Sequence, residues 1–352
     1  MFEKRNLINE NCLEVIRLVA ALQVMFGHIV EHFELGKNVP LIGELEFLSR
    51  FIPGKGVVIF FTISGFCSFL SLEKNNINGG GYFVKKFWRI YPELWLSFLV
   101  NTILIFSLYG MPRLKDFFLY CFTQLTFFQF YTGDWLRGYG VGTPNGALWT
   151  ITVTIQFYIV AYFLYKISLS WKLKHWLILL VGSIVVAVLC SNLNFLPELI
   201  LKLIGVSFIP YFYIFVTGII SYKYWDRFIP FLKKYWYLIS IQYILLKVIF
   251  TYCQFGIKFG LLYDVFSSVF LAFAIIAIGY KFGMHRLRYE ISYSIFLWHM
   301  IIVNICIEIA EKFSLSMENW RITFMCITFF GTIIVSFIST SFSKKVIKYI
   351  ER

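Results

Sequence analysis

Long apolar segments separated by short polar ones fill most of the chain. Ten of these segments have the length of a membrane-spanning α-helix, which needs about 20 predominantly apolar residues. The predicted spans cover about residues 12–32, 56–72, 88–109, 147–167, 174–192, 197–221, 235–255, 259–281, 290–310 and 320–342. Another apolar segment, at about 115–131, is shorter and carries Gln124, Thr126 and Gln129. We predict a re-entrant or interfacial segment there.

The amino-acid composition agrees with this pattern. Hydrophobic residues make up 59% of the 352 residues and charged residues only 14%, whereas a soluble domain has about 25% charged residues. So little charge cannot cover a water-facing surface, which excludes a soluble enzyme. We therefore predict an all-α, polytopic integral membrane protein in which residues 1–352 form a single transmembrane domain, with no soluble domain.

The lysines and arginines predict the orientation of the spans. If the N-terminus is cytoplasmic, 20 of the 32 fall in cytoplasmic segments and 11 in outer segments, and Arg17 lies within the first span. Positive charge is in excess on the cytoplasmic side of membrane proteins, so both termini are predicted in the cytoplasm. The net charge of +13 is spread over short clusters at helix ends, which is typical of contact with membrane lipid and not of nucleic-acid binding.

Two ionisable side chains share one face of the first predicted span. Arg17 and His28 are 11 residues apart, which is about three helical turns and about 16 Å along the axis. Ionisable groups inside spans are costly and often functional. In one interpretation, Arg17 holds an anion near the cytoplasm and His28 acts as a general base farther out. In the other, the arginine reaches the membrane interface and the histidine is hydrogen-bonded within the bundle.

The same span ends in the string His28-Ile-Val-Glu31-His32. This string matches the HxxEH pattern of a class of zinc proteases, and its spacing places both histidines on one helix face. A third ligand and the soluble fold of those enzymes are missing, so we predict no metal. The seven cysteines are scattered and none pairs as CxxC, so neither a disulfide framework nor a zinc site is predicted.

Basic residues open the third predicted span. Lys86 and Arg89 are three residues apart, so they share a helix face and can clamp phosphate groups of a cytoplasmic cofactor. The alternative is positive-inside anchoring. In the second span, Ser64 lies beside Gly65, a pair typical of close helix packing. His299 is a second histidine inside a span, where hydrogen bonding in the core is the common role.

Five strings, in order along the chain, resemble the motifs of the acyltransferase-3 family of bacterial membrane acyltransferases. The resemblance covers about residues 12–310. The strings are Leu13 to Arg17 with Ala20, Ala21, Val24 and His28; Gly56 to Phe66; Lys86-Phe-Trp-Arg89-Ile-Tyr91-Pro92; Asn145 to Tyr158, which includes Trp149; and Ser292-Tyr293-Ser294 through His299. Each string is weak by itself, but five in order are specific.

The resemblance implies transfer of an acyl group, usually acetyl, from cytoplasmic acyl-CoA to a hydroxyl of a cell-surface glycan or its lipid-linked precursor. The protein would then lie in the bacterial inner membrane. His28 would be the catalytic base, assisted by Arg17, and acetyl-CoA would be bound by Lys86 and Arg89 together with Arg17. The positions matched to substrate binding are Ser64, Trp149, Tyr158 and His299.

The chain departs from the family pattern at two positions. Lys86 replaces the first arginine of the usual pair, which keeps the charge but loses the bidentate fork. Thr154 stands where the family commonly has a glutamate. A natural variant, an inactivating change and a shift of the role to another acid such as Glu31 are all open. The alternative functions are a transporter or flippase for a lipid-linked sugar and a catalytically impaired scaffold of a glycan-assembly complex. A homo-oligomer is also left open.

Overall fold

The computed structural model describes residues 11–35, 56–74, 79–193, 195–253, 257–283, 287 and 289–350. Within these residues the chain forms α-helices and short 3-10 turns, and no β-strand. Many exposed side chains are large and apolar, such as Ile103, Ile178 and Phe330. Such side chains on the outside of long helices are typical of a surface in contact with lipid. The prediction of an all-α, polytopic membrane protein is confirmed.

Twelve α-helices are found in the described residues. They are α1 (Leu13–His32), α2 (Gly56–Lys74), α3 (Gly79–Tyr109), α4 (Leu114–Leu125), α5 (Trp149–Ile167), α6 (Leu173–Cys190), α7 (Glu198–Gly205), α8 (Phe212–Lys223), α9 (Trp225–Cys253), α10 (Ile257–Lys281), α11 (Ser292–Lys312) and α12 (Met317–Ile350).

Eight of the described helices are long and apolar enough to cross a membrane, fewer than the ten spans predicted. They are α1, α2, α3, α5, α6, α10, α11 and α12. Helices α7 and α8, with the 3-10 turn that opens α8, are bent by 47° and make a ninth if they form one span. The predicted span 235–255 falls in α9, which is non-helical at Tyr235. The end of this span lies outside the described residues, so a tenth span stays a prediction.

The apolar pattern gives a wrong start for α3, and it gives the start of α4 but not its end at Leu125. Helix α3 begins at Gly79 and not at residue 88, so Lys86 and Arg89 lie on the helix itself. The prediction was wrong because charged side chains end an apolar run without ending a helix. Helix α4 has 12 residues and is therefore about 18 Å long, too short to cross a bilayer, as predicted for this segment.

The helices cluster into two compact units. The first unit contains α1 up to Ala20, α2, the start of α3 up to Phe83, and the chain from Val153 of α5 through α10. The second unit contains the remainder of α1 and of α3, α4, the chain from α4 to Thr152 of α5, and helices α11 and α12. The prediction of a single transmembrane domain stays a prediction.

In the first unit, α2 and α8 pack backbone against backbone. A side chain at Gly65 would collide with the carbonyl oxygen of Phe215, and a side chain at Gly218 would collide with that of Thr62. Small residues permit such close approach between membrane helices. The prediction of close helix packing at Gly65 is confirmed.

Candidate active site

His299 lies on α11 and is completely buried in the second unit. Its Nδ1 is 2.9 Å from the backbone oxygen of Ile295, one helical turn earlier. A carbonyl oxygen only accepts hydrogen bonds, so Nδ1 carries the proton of the neutral ring and Nε2 carries the lone pair. This Nε2 is buried and has no hydrogen-bond partner among the described residues. The ring therefore presents an unsatisfied acceptor inside the protein.

His28 of α1 stacks on His299, with ring centroids 5.3 Å apart and ring planes 27° apart. The His28 side chain is 30% exposed, and its Nδ1 lies 3.9 Å from Oε2 of Glu31, beyond hydrogen-bond distance. This Nδ1 is also buried and has no hydrogen-bond partner in the described part of the chain. The structure thus brings two of the predicted site residues together, each with an unpartnered ring nitrogen.

His32 follows His28 by one helical turn and stacks on it, with centroids 5.7 Å apart and ring planes 4° apart. The ligand atoms of His28, Glu31 and His32 all lie within 4.8 Å of one another, so this group could hold a metal ion. The Glu31 side chain is 71% exposed to solvent, and exposed acidic groups are common without a metal. The absence of a metal from the working protein stays a prediction.

Lys86 and Arg89 lie on the first third of α3, in the second unit. Lys86 is buried, whereas Arg89 and the neighbouring Lys85 are exposed. A lysine can bury its apolar stem in protein and keep its ammonium group near water. The helix therefore has a basic end in which a buried lysine and an exposed arginine are one turn apart.

One turn beyond Arg89, the carboxylate of Glu93 is buried and bonded to hydroxyl groups. Its Oε1 accepts hydrogen bonds from Ser294 of α11 and, at 2.9 Å and 3.2 Å, from Ser339 and Thr340 of α12. A buried acid needs such donors because it has lost its contact with water. Glu93 therefore ties α3 to both α11 and α12.

Side-chain amides fasten the chain between α4 and α5 to the helices of the second unit. Asn304 of α11 accepts a hydrogen bond from the N–H of Val141 at 3.0 Å and donates one to the oxygen of Pro144 at 3.1 Å. Asn101 of α3 donates to the same oxygen at 3.1 Å. Asn145 donates to a backbone oxygen of α11 at 2.7 Å. All three amides are buried, so this segment is a fixed part of the unit.

Glu308, one turn after Asn304, fixes the same segment. Its Oε1 accepts hydrogen bonds from the N–H of Gly140 at 2.7 Å and from the hydroxyl of Tyr109 at 2.9 Å. Gly140 has a φ of +51°, and a side chain there would collide with Asn304. This position therefore requires glycine both for its backbone conformation and for the close contact.

These contacts place the polar and ionisable residues of the second unit in a fixed order, or in layers, along α3 and α11. The basic end of α3 comes first, followed by Glu93, then by His299, and then by Asn304 beneath the chain between α4 and α5. At 1.5 Å per residue, Arg89 and Asn101 are about 18 Å apart along α3, and His299 is about 7.5 Å from Asn304 along α11. The two imidazoles therefore lie between a basic end and a polar segment.

The remaining predicted site residues are spread over both units. Trp149 is half-buried at the start of α5, in the second unit, and the other three belong to the first. Arg17 Nε and Ser64 Oγ are buried and have no hydrogen-bond partner among the described residues. Tyr158 is buried, with its ring edge-on to Tyr82 at a centroid distance of 6.4 Å. Arg17 shares α1 with His28, as predicted.

Sequence reasoning missed Glu93, Asn304 and Glu308. Each is an acid or an amide inside a predicted span, which is the signal that singled out Arg17 and His28. Asn304 and Glu308 are four residues apart and therefore share a helix face. That spacing could have indicated a polar stripe along the predicted span 290–310.

Comparison with known proteins gives a family match over almost the whole chain. A family model described as an acyltransferase domain matches residues 10–341. Nodulation protein 10 of Rhizobium leguminosarum bv. viciae is 29% identical over 316 residues, which cover 86% of this chain and 85% of that protein. No solved structure matches the chain.

Proposed function

The chain belongs to the acyltransferase-3 family of membrane acyltransferases, and we propose that it transfers an acyl group, most often acetyl, from cytoplasmic acyl-CoA to a hydroxyl of a cell-surface polysaccharide or its lipid-linked precursor. The protein acts in the cytoplasmic membrane of a bacterium, with both termini in the cytoplasm. The family match supports acyl transfer. The resemblance of the five motifs supports the donor and the class of acceptor.

The observation that carries this proposal is the contact between the imidazoles of His28 and His299. Acyl transfer to a hydroxyl needs a base at that hydroxyl, and a neutral imidazole is the usual one. Each ring keeps a nitrogen that no described residue satisfies. A buried, unsatisfied nitrogen has a free-energy cost, which a bound substrate hydroxyl would remove.

In the proposed reaction, His28 takes the proton of the acceptor hydroxyl while the oxygen attacks the thioester carbonyl. The new C–O ester bond forms, the C–S bond breaks, and the sulfur of CoA leaves as a thiolate. The thiolate then takes the proton from His28, which returns to its neutral form. His299 accepts a hydrogen bond from the acceptor through Nε2 and so orients it.

The basic end of α3 suits the phosphate groups of the donor. Arg89 can bind a phosphate through two parallel N–H bonds, and Lys86 adds a second positive charge. Arg17 stays a prediction for donor binding. Along the layers of the second unit, a donor bound at Arg89 would reach towards His299 from one side, and the acceptor would reach it from the other. Ser64, Trp149 and Tyr158 stay predictions for substrate binding.

Mass spectrometry of the surface glycan from cells with and without the gene tests this function. The proposal expects an ester-linked acyl group that is present only with the gene, and identical glycans would contradict it. Because Thr154 replaces the usual glutamate, a catalytically impaired scaffold is a second candidate function. Deleting the gene of such a scaffold would also remove the acyl group from the glycan. A His28→Ala protein separates the two, because a scaffold without catalysis would tolerate this change.

A further inference from the structure

A cavity of about 240 Å³ opens between α4 and the chain that follows it, within the second unit. Its lining includes neither His28 nor His299 and none of the other predicted site residues. Its lining combines aromatic rings with acidic and hydroxyl side chains. The residues that matter to the argument are Asp116, Tyr120, Thr123, Tyr131, Asp134 and Trp135.

The aromatic part of the cavity is rigidly built. Trp135 stands edge-on to Tyr120, with ring centroids 5.7 Å apart and ring planes 80° apart. The Tyr120 ring is buried, and its hydroxyl is 3.3 Å from that of Thr102 on α3. Burial raises the pKa of Tyr120 to about 12, so the hydroxyl stays neutral. A side chain at Gly133 would come within 3.0 Å of the indole of Trp135. Glycine at this position therefore leaves room for the indole ring.

The polar part of the cavity accepts hydrogen bonds more than it donates them. The carboxylates of Asp116 and Asp134 are acceptors only, and neither accepts a hydrogen bond from another described side chain. Arg137 is 3.8 Å from Asp134, but both side chains are exposed, so this ion pair is weak. The indole N–H of Trp135 is a donor. A ligand must therefore bring several donors, an acceptor and an apolar face, and no negative charge.

We propose that this cavity binds one neutral sugar ring of the acceptor glycan, an inference that rests on the proposed function. A sugar ring has hydroxyl donors for the two carboxylates and an apolar C–H face for the indole of Trp135. The two acids repel phosphates and uronic acids. The cavity lies just below the usual size range of small-molecule sites, about 300–1,000 Å³, which suits a single sugar ring.

The position of the cavity along α3 fits an acceptor subsite. Tyr120 contacts Thr102, which lies 13 residues beyond Arg89 and therefore about 20 Å from it along α3. The cavity is thus on the opposite side of the unit from the basic end that suits the donor. The sugar in the cavity is a neighbour of the sugar that is acylated, and it holds the glycan in place.

Saturation-transfer NMR on the full-length protein in lipid nanodiscs, without sugar detergents or acyl-CoA, tests the proposal. The probes are methyl β-glucopyranoside, N-acetylglucosamine and glucuronate. We expect the two neutral sugars to bind and glucuronate to bind much more weakly. Trp135→Ala and Asp116→Asn should each weaken neutral-sugar binding about tenfold. Trp320→Ala and Asp226→Asn change exposed residues elsewhere and should leave it unchanged.

Folding must be separated from binding in this experiment. Trp135→Phe keeps the apolar packing and removes the N–H, so it should stay folded, as judged by thermal unfolding, and still bind neutral sugars more weakly than the wild type. Three results would each overturn the proposal. Trp135→Ala could bind neutral sugars as well as the wild type does, the wild type could bind glucuronate more tightly than the neutral sugars, or the wild type could bind none of the probes. Sugar binding that depends on Trp135 in a protein without transferase activity would support the subsite and contradict the proposed function.

Discussion

His28 and His299 are 271 positions apart in the chain and stack with ring centroids 5.3 Å apart. His299 is completely buried and fixed by the Ile295 carbonyl, whereas the His28 side chain is 30% exposed. The two rings therefore suit different tasks. The exposed ring can exchange a proton with a substrate, and the buried ring can hold the substrate in one orientation.

Replacing His299 by asparagine tests the orienting role. An asparagine amide can donate to the Ile295 oxygen in place of Nδ1, but it has no atom where Nε2 lies. We expect a folded protein whose acyl transfer falls about tenfold, mainly through a higher KM for the acceptor. His299→Gln, whose amide can reach the position of Nε2, should recover part of the activity. Wild-type kinetics in His299→Asn would rule out this role.

Arg89→Ala should weaken CoA binding about 10- to 100-fold, because it removes a charge-assisted hydrogen bond to phosphate. Isothermal titration calorimetry of the purified protein with CoA measures the change. Arg113→Ala is the matched control, because Arg113 is an exposed arginine just beyond the other end of α3. Equal CoA affinity in the wild type and Arg89→Ala would contradict a role of Arg89 in donor binding. It would favour the alternative that Arg89 anchors the helix end at the membrane surface.

Glu93→Ala should destabilise the protein by about 2–4 kcal/mol. The change leaves the hydroxyls of Ser294, Ser339 and Thr340 without their common acceptor and opens a small cavity. Glu93→Gln should cost less, because its amide oxygen still accepts hydrogen bonds. Thermal unfolding of the purified variants, with CoA binding as a check on the donor site, measures this. Unchanged stability in Glu93→Ala would show that these hydrogen bonds contribute little.

Cysteine labelling tests the orientation of the spans. Single cysteines at Lys172 and Lys234 in a cysteine-free protein should be labelled only from the cytoplasm, and one at Gly138 only from outside. The reason is the excess of positive charge in the predicted cytoplasmic segments. Labelling of Gly138 from the cytoplasm would place the chain between α4 and α5 on the wrong side for the acceptor.

Most helix boundaries could be predicted from the sequence. A backbone that crosses lipid must satisfy its own hydrogen bonds, so a long apolar run can only be a helix. Helices α1, α2, α5, α6 and α11 accordingly begin and end within about two residues of the predicted spans. The start of α3 was missed because Lys85 and Lys86 end the apolar run inside the helix.

Only part of the candidate site could be predicted. His28 and His299 were identifiable because each is an ionisable group inside an apolar span. Their contact was not, since the sequence does not show which faces of α1 and α11 meet. Glu93 carries the same signal as these histidines. Its hydroxyl partners on α11 and α12 could not be predicted, because serine and threonine occur in many membrane helices without a carboxylate. The cavity beside Trp135 depends on how α4 folds back and has no sequence pattern.

Acyl transfer by the His28→Ala protein is the most direct test of the proposed mechanism. Cells that lack the native gene should express the wild type, His28→Ala and the control His32→Ala at matched levels in the membrane. Mass spectrometry then measures the acylated fraction of their surface glycan. Loss of a positioned general base lowers rates about 10²–10⁴-fold. We predict no detectable acylation with His28→Ala, while purified His28→Ala still binds CoA, and a smaller effect with His32→Ala. Near-normal acylation with His28→Ala would contradict the assignment of His28 as the base.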